Sequence, residues 1–238
     1  MRDSESAYDR FAPHFRAYAE RRAAYIDAVD AIITRDIPCG ARSMLDVGAA
    51  DGIRGVRIAR ARGLSRLVLV EPSAAMLREC RQRGAADVWP VRAEDLPQSN
   101  ERFDVITCLW NVLAHVSPRA ARVTALRRMG SLLAVDGSIF VDVHNRYNAR
   151  WYGWFPTLQR AIYDTIFPSD CNGDIDMIWS VGGEQIPTQT HAFTPNEFTE
   201  LIREAGLHIK QRYFIDYAGR TKRFFFEGQM LCELGVTR

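Results

Sequence analysis

Two stretches of this chain carry residue types that could act on a small molecule. Leu45-Asp46-Val47-Gly48-Ala49-Ala50-Asp51-Gly52 ends a short apolar run and opens a helical stretch, and Glu71 sits at the tip of the next apolar run. A strand that leads through a glycine turn into a helix brings backbone N–H groups close to a ligand. An acidic residue at the end of the neighbouring strand accepts hydrogen bonds from both hydroxyls of a ribose. The pair points to an adenosine-bearing cofactor. The glycine spacing argues against a dinucleotide, whose G-x-G-x-x-G turn needs its second glycine for the backbone to approach a pyrophosphate. Here Ala50 follows Ala49, and Asp51 would set a negative charge against any phosphate. A nucleoside without phosphate, such as S-adenosylmethionine, meets no such objection.

With these residues the chain resembles the class I S-adenosylmethionine-dependent methyltransferases. Residues 45–52 are similar to their L-D-V-G-x-G-x-G motif, with Ala50 where glycine is usual, which implies a more constrained turn. Glu71-Pro72-Ser73-Ala74-Ala75-Met76-Leu77 resembles the acidic second motif, Ala93-Glu94-Asp95-Leu96-Pro97 the third, and residues 103–116 the fourth. In order and spacing the four span residues 44–145. The resemblance implies S-adenosylmethionine as cofactor, with Asp46, Gly48, Ala49 and Gly52 around its methionine portion. It implies Glu71 at the ribose with Pro72 and Met76 beside it, and Ala93, Leu109 and either Glu94 or Asp95 towards the adenine. Leading helices fold over the cofactor in many relatives, which would bring Tyr8 or Arg21 to its carboxylate; packing of a helix face is the alternative for Tyr8 and Tyr18.

Methyl transfer from a sulfonium is an in-line displacement, so alignment is its first need and supplies roughly 7–11 kcal/mol of barrier lowering. A general base adds on the order of 10²- to 10⁴-fold for an acceptor that must lose a proton. Three histidines compete for that role. His144 lies at the tip of an expected strand beside Asp142, His115 in the loop after the fourth strand, and His191 just before a capped helix. Catalysis without a base is a further possibility, and each histidine has a structural alternative. Asn145, Arg146 and Tyr147 could bind a polar or anionic acceptor, and Trp151 and Trp179 belong to an aromatic-rich stretch that suits a ring-bearing or sugar-like one.

These residues need elements to position them. Tyr8, Phe11, Phe15, Tyr18, Tyr25, Ile26, Val29 and Ile33 recur at helical spacing, with a break expected near Pro13. Apolar runs predict strands at 41–47, 67–70, 88–91, 103–109 and 138–143, with helices between them. One helix runs over 53–61, one is capped by Ser73 and closed by Gly84, and one begins at Ser117 with Pro118 in its first position. Asp136-Gly137 reads as the turn into the fifth strand. Within residues 145–189 a helix is expected around 158–166. Thr194-Pro195-Asn196-Glu197 is a capping box, and strands at 207–217 and 222–233 close the chain through a turn at Ala218-Gly219-Arg220.

Alternating strands and helices predict an α/β fold with a mostly parallel sheet whose strand tips gather the motifs into one cleft. By resemblance this is a Rossmann-like seven-stranded sheet ending in an antiparallel hairpin, with helices on both faces. Four parts are expected: a helical cap over 1–38, a cofactor-binding core over 39–145, an aromatic-rich insertion over 146–190 that covers the acceptor pocket, and a closing helix and hairpin over 191–238.

The 238 residues suffice for a core without staples, and a formal charge of +2 offers no electrostatic reason for a nucleic-acid partner. The five cysteines show no C-x-x-C spacing, which argues against a disulfide framework or a metal site. Neither a signal peptide nor a membrane span is legible, so a cytoplasmic location is expected. The leading functional expectation is methylation of an oxygen or nitrogen on a small-molecule acceptor. An RNA or protein methyltransferase is the alternative, suggested by basic residues in the tail. It is disfavoured because Leu109-Trp110-Asn111-Val112 replaces an N-P-P-Y-type tetrapeptide. A non-catalytic S-adenosylmethionine-binding protein is a third reading, for which Ala50 leaves room.

Overall fold

The computed structural model describes residues 4–83 and 87–237, so the expected helix-ending Gly84 lies outside the described residues. Helix α1, Ser4–Glu20, buries Ala7, Phe11 and Phe15, one turn apart on a single face. It contains Pro13 without a break. The chain bends instead at Arg21–Arg22, before α2, Ala23–Asp36. Pro13 is exposed, and the buried aromatic face carries the helix across it.

Strand β1, Ser43–Val47, passes through the glycine corner into α3, Ile53–Ala61. Strand β2, Arg66–Val70, leads to α4, Ala74–Gln82, and β3 is Asp87–Trp89. Ser73 caps α4 by accepting from the Met76 N–H, and its hydroxyl donates to Asp9 at 2.6 Å, which ties α1 down. Strand β4, Phe103–Cys108, is followed by the single turn α5, Val112–His115, and then α6, Arg119–Ser131. Pro118 stands at the cap of α6 rather than inside it, without a side-chain cap bond.

Strand β5, Leu133–Val143, starts earlier than expected because Asp136 and Gly137 form a bulge within it instead of a turn before it. Asp136 has φ +64°, and the register opposite Phe103 and Val105 jumps from Leu133 to Ser138. The next segment holds α7, Ala149–Tyr152, and α8, Trp154–Ile166. It ends in a separate hairpin absent from the sequence expectation, β6, Asp174–Val181, with β7, Glu184–His191. Gly182-Gly183 at its tip has positive φ at both positions, the geometry that a two-residue hairpin requires.

The capping box forms at the start of α9, Pro195–Glu204. The tail comprises β8, Leu207–Ile215, β9, Thr221–Lys222, and β10, Gln229–Val236. Among the described residues the main sheet has eight strands in the order β3-β2-β1-β4-β5-β10-β8-β9, one more than expected. The extra strand arises because a helical turn at Phe225–Glu227 splits the predicted last strand into β9 and β10. β3 to β5 are parallel, and β10 inserts antiparallel between β5 and β8. Strand order reverses between β1 and β4, and the crevice at their carboxyl ends is where such sheets bind ligands. Among the described residues no helix is long and apolar enough to cross a membrane.

Candidate active site

At that crevice lies a cavity of about 410 Å³, walled by the tips of β1, β2 and β4 and roofed by α1 and α2. Its size is that of a small-molecule site. Asp46, Gly48, Ala49, Glu71, Pro72, Ala93, Glu94 and Leu109 all border it. So does Tyr8 from α1.

The glycine corner differs from the expectation in one respect. Its N–H groups are not free for a ligand: those of Gly48 and Ala49 both donate to the Val70 carbonyl, at 2.8 and 2.9 Å. The Ala50 N–H donates to Glu71 Oε2 at 2.9 Å. The corner is clamped onto β2 and offers space rather than phosphate-binding donors. Gly48, at φ +72°, supplies that space, since a Cβ would collide with Val112. Ala50 adopts φ 49°, a left-handed conformation that costs a side-chain-bearing residue roughly 1–2 kcal/mol.

Glu71 is buried and receives a second N–H, from Ser73, at 2.9 Å. Burial pushes its carboxyl up to about 7 against the lowering effect of these two bonds. Asp46 is buried too and pushed up to about 6, although the Thr107 hydroxyl donates to it at 2.7 Å. At neutral pH the cavity floor thus holds an ionised Asp46 and a Glu71 close to its titration point, without a directly paired cation. That electrostatic setting favours a positively charged ligand.

A cationic rim lies at the α2–α3 end. Arg54 donates to Asp30 through Nε and Nη2, at 3.0 and 2.6 Å. Its Nη1 is buried without a partner among the described residues. Arg16 borders the same space, 3.6 Å from Asp51. Arg21, expected here, is exposed at the α1–α2 bend and off the cavity wall. Gly52 and Met76 also stand behind the wall. Gly52 backs onto Leu69 and Cys80, and Met76 is buried beneath α1.

The three histidines fall in different settings. His115 borders the cavity. Its Nδ1 donates to the Gln189 carbonyl at 2.9 Å, so Nε2 carries the lone pair that faces the Tyr8 hydroxyl at 3.4 Å. Burial holds this imidazole down to about 4 and pushes the Tyr8 phenol well above its ordinary range, so both are neutral at physiological pH. His144 is also held down to about 4 by burial, but it lies off the cavity wall. His191 is clamped between Asp174 and Glu197, each at 2.7 Å, and ties β7 to α9.

The expected acceptor residues serve as struts. Asn145 Nδ2 donates to the carbonyls of Phe225 and Gly228, and Arg146 and Tyr147 both bond Asp164 on α8. Trp151 packs on Tyr217, with Arg22 lying over both rings. Trp179 is buried against α1, stacked on Phe11 at 4.4 Å and edge-on to Tyr8 at 5.2 Å. None of the five borders the cavity. Residues missed in the sequence do: Arg16, Arg54, Trp110 and Gln189. Trp110 and Asn111 both have positive φ, held by N–H donation from Trp110 to the Asp142 carboxylate and from Asn111 to the Asp142 carbonyl, a conformation no local sequence signal announces.

Fold and site define an architecture: a Rossmann-like α/β sheet with a cleft at its strand tips, and part of the chain matches a methyltransferase domain. Residues 44–137 match the methyltransferase domain family. No curated protein matches the chain by sequence. Among solved structures it is similar to the CcbJ methyltransferase of Streptomyces caelestis, with a TM-score of 0.69 and 17% identity over 89% of this chain and 90% of that one. The sugar N-methyltransferase KedS8 from Streptoalloteichus aligns with a TM-score of 0.62 and 17% identity, covering 96% of this chain and 92% of its own. An amino pentose methyltransferase from Micromonospora echinaspora, CalS10, gives 0.61 and 17%, with coverage of 92% and 95%. At such identities the likeness speaks for the fold.

The cavity fits the cofactor. Two buried carboxylates suit its ribose hydroxyls and positive charge, an unpartnered guanidinium nitrogen suits its carboxylate, and the corner lacks phosphate donors. When bound, the cofactor supplies an activated methyl on a sulfonium. Among the described residues no group of three or more His, Cys, Asp or Glu side chains is placed to hold a metal ion.

Proposed function

We propose that this enzyme methylates a nitrogen or oxygen of a small polar ring compound, with an amine on a sugar-like ring the best fit. The observation that carries this is the neutral Tyr8–His115 pair on the wall of the cavity roofed by α1 and α2. Glu71 accepts the ribose hydroxyls, Asp46 faces the ammonium, and Arg16 and Arg54 hold the carboxylate. The Tyr8 oxygen accepts the acceptor's N–H or O–H while its own proton passes to His115 Nε2. The Gln189 carbonyl holds His115 in the tautomer able to receive it. Two structural neighbours, a sugar N-methyltransferase and an amino pentose methyltransferase, support a sugar amine. Roofing of the cavity by α1 supports a small acceptor over RNA or protein.

The test supplies methyl-labelled cofactor with amino sugars, hydroxylated rings, RNA and protein lysate. Label is expected in the amino sugars. In His115→Ala, kcat should fall about 100-fold while S-adenosylhomocysteine affinity stays within about threefold of wild type. Label found only in macromolecules would refute the small acceptor. An unchanged kcat would remove the base.

A further inference from the structure

Helix α8 is inside out. Three of its polar side chains face the body of the protein, where Asp164 bonds Arg146 and Tyr147, Arg160 lies over the Tyr152 ring, and Thr157 is buried, while Gln159 and Thr165 share the exposed half. Its apolar side chains face solvent: Trp154, Phe155, Leu158, Ile162, Tyr163 and Ile166 are each half to seven-tenths exposed. At 100° per residue these six occupy one half of the helix circumference. Exposed Phe167, Phe224 and Phe225 extend the apolar surface. A solvated helix normally shows the opposite pattern.

We propose that this face docks a second copy of the same chain. Area is the first argument. A large side chain exposes roughly 150–250 Å² when free, so the six present about 700 Å² and the added phenylalanines bring the patch to about 1,000 Å². The largest apolar patch of a monomer is roughly 300–600 Å², whereas a stable protein interface needs about 800 Å² from each partner. Charge is the second. Both charged residues of α8, Arg160 and Asp164, are turned inward, so the face opposes none of its own charges when it meets itself across a twofold axis. A polyanion or an anionic membrane would call for a row of lysines or arginines across this face, whereas the helix presents none and Arg223, over the Phe224 ring, stands at the patch's edge.

Sedimentation velocity of the full chain from about 1 to 100 µM is expected to show a dimer. Leu158→Glu with Ile162→Glu should give a monomer with unchanged circular dichroism and unchanged affinity for S-adenosylhomocysteine. Amide exchange of residues 154–167 in the wild type should slow as concentration rises, which decides the matter even if the variant misfolds. A wild type that stays monomeric, or a dimer that survives both substitutions, overturns the proposal. So does a monomer that binds neutral phosphatidylcholine vesicles, which would give the face to a lipid surface.

Discussion

Glu71 shows how burial would set one side chain for the ribose-binding role proposed for it. Its carboxyl titrates near 7 because water is excluded and no cation sits against it, while two backbone N–H groups keep it aimed. Ribose hydroxyls donate only to lone pairs, so the ionised form binds better. Below its titration point a proton must leave before the ligand enters, and affinity for S-adenosylhomocysteine should fall about tenfold per pH unit below 7 and level off above about 8. Asp46, titrating near 6, pulls in the same direction through the ligand's ammonium. Glu71→Ala should weaken binding by about 100-fold, since two hydrogen bonds to a charged group are lost, and should flatten the profile above pH 7. Calorimetric titration from pH 5.5 to 8.5 checks both, and a flat wild-type profile would count against this assignment of Glu71.

At the scale of elements, the hairpin β6–β7 and helix α1 act as one clasp. Trp179 from the hairpin stacks on Phe11 of α1, and His115, bonded to the Gln189 carbonyl of β7, meets Tyr8 of α1. The exposed Arg10–Glu184 ion pair adds little; the aromatic contact does the holding. Truncating a buried tryptophan costs about 3–5 kcal/mol, and here the loss falls on the clasp rather than the sheet. Trp179→Ala should therefore speed S-adenosylhomocysteine dissociation about tenfold or more in stopped-flow measurements while the enzyme remains folded. An unchanged off-rate would mean that α1 holds the cavity shut without the hairpin.

For the whole molecule, the sheet is the fixed body and the roof is the part with fewer ties. The interior of the sheet buries two large apolar clusters on either face, whereas α1 rests on a smaller one built around Phe11, Phe15 and Trp179. Ligand bound beneath α1 stabilises what it touches. Hydrogen exchange with S-adenosylhomocysteine should show protection rising in residues 4–20 and in the tip loops of β1, β2 and β4, with little change in β8 and β10. Uniform protection throughout would point to global rather than roof-level coupling.

The parallel core and the gathering of Asp46 and Glu71 at one crevice were legible in the linear chain, because buried parallel strands read as apolar runs and their tips carry the motif residues within a few positions. The capping box at Thr194 was legible for the same reason: its signal and its structure are both local. Even Gly182-Gly183 carried a hairpin signal that the aromatic richness of its surroundings masked. Other features depended on which side of an element met which neighbour. Arg146, Tyr147 and Asn145 are the polar residues an acceptor pocket would use, yet packing turned them into struts, and α8 came out with its apolar half in solvent. His115, rather than His144 or His191, borders the cavity because α5 and β7 meet there, a contact between residues 74 positions apart. Periodicity along the chain specifies faces; only the folded arrangement decides what each face meets.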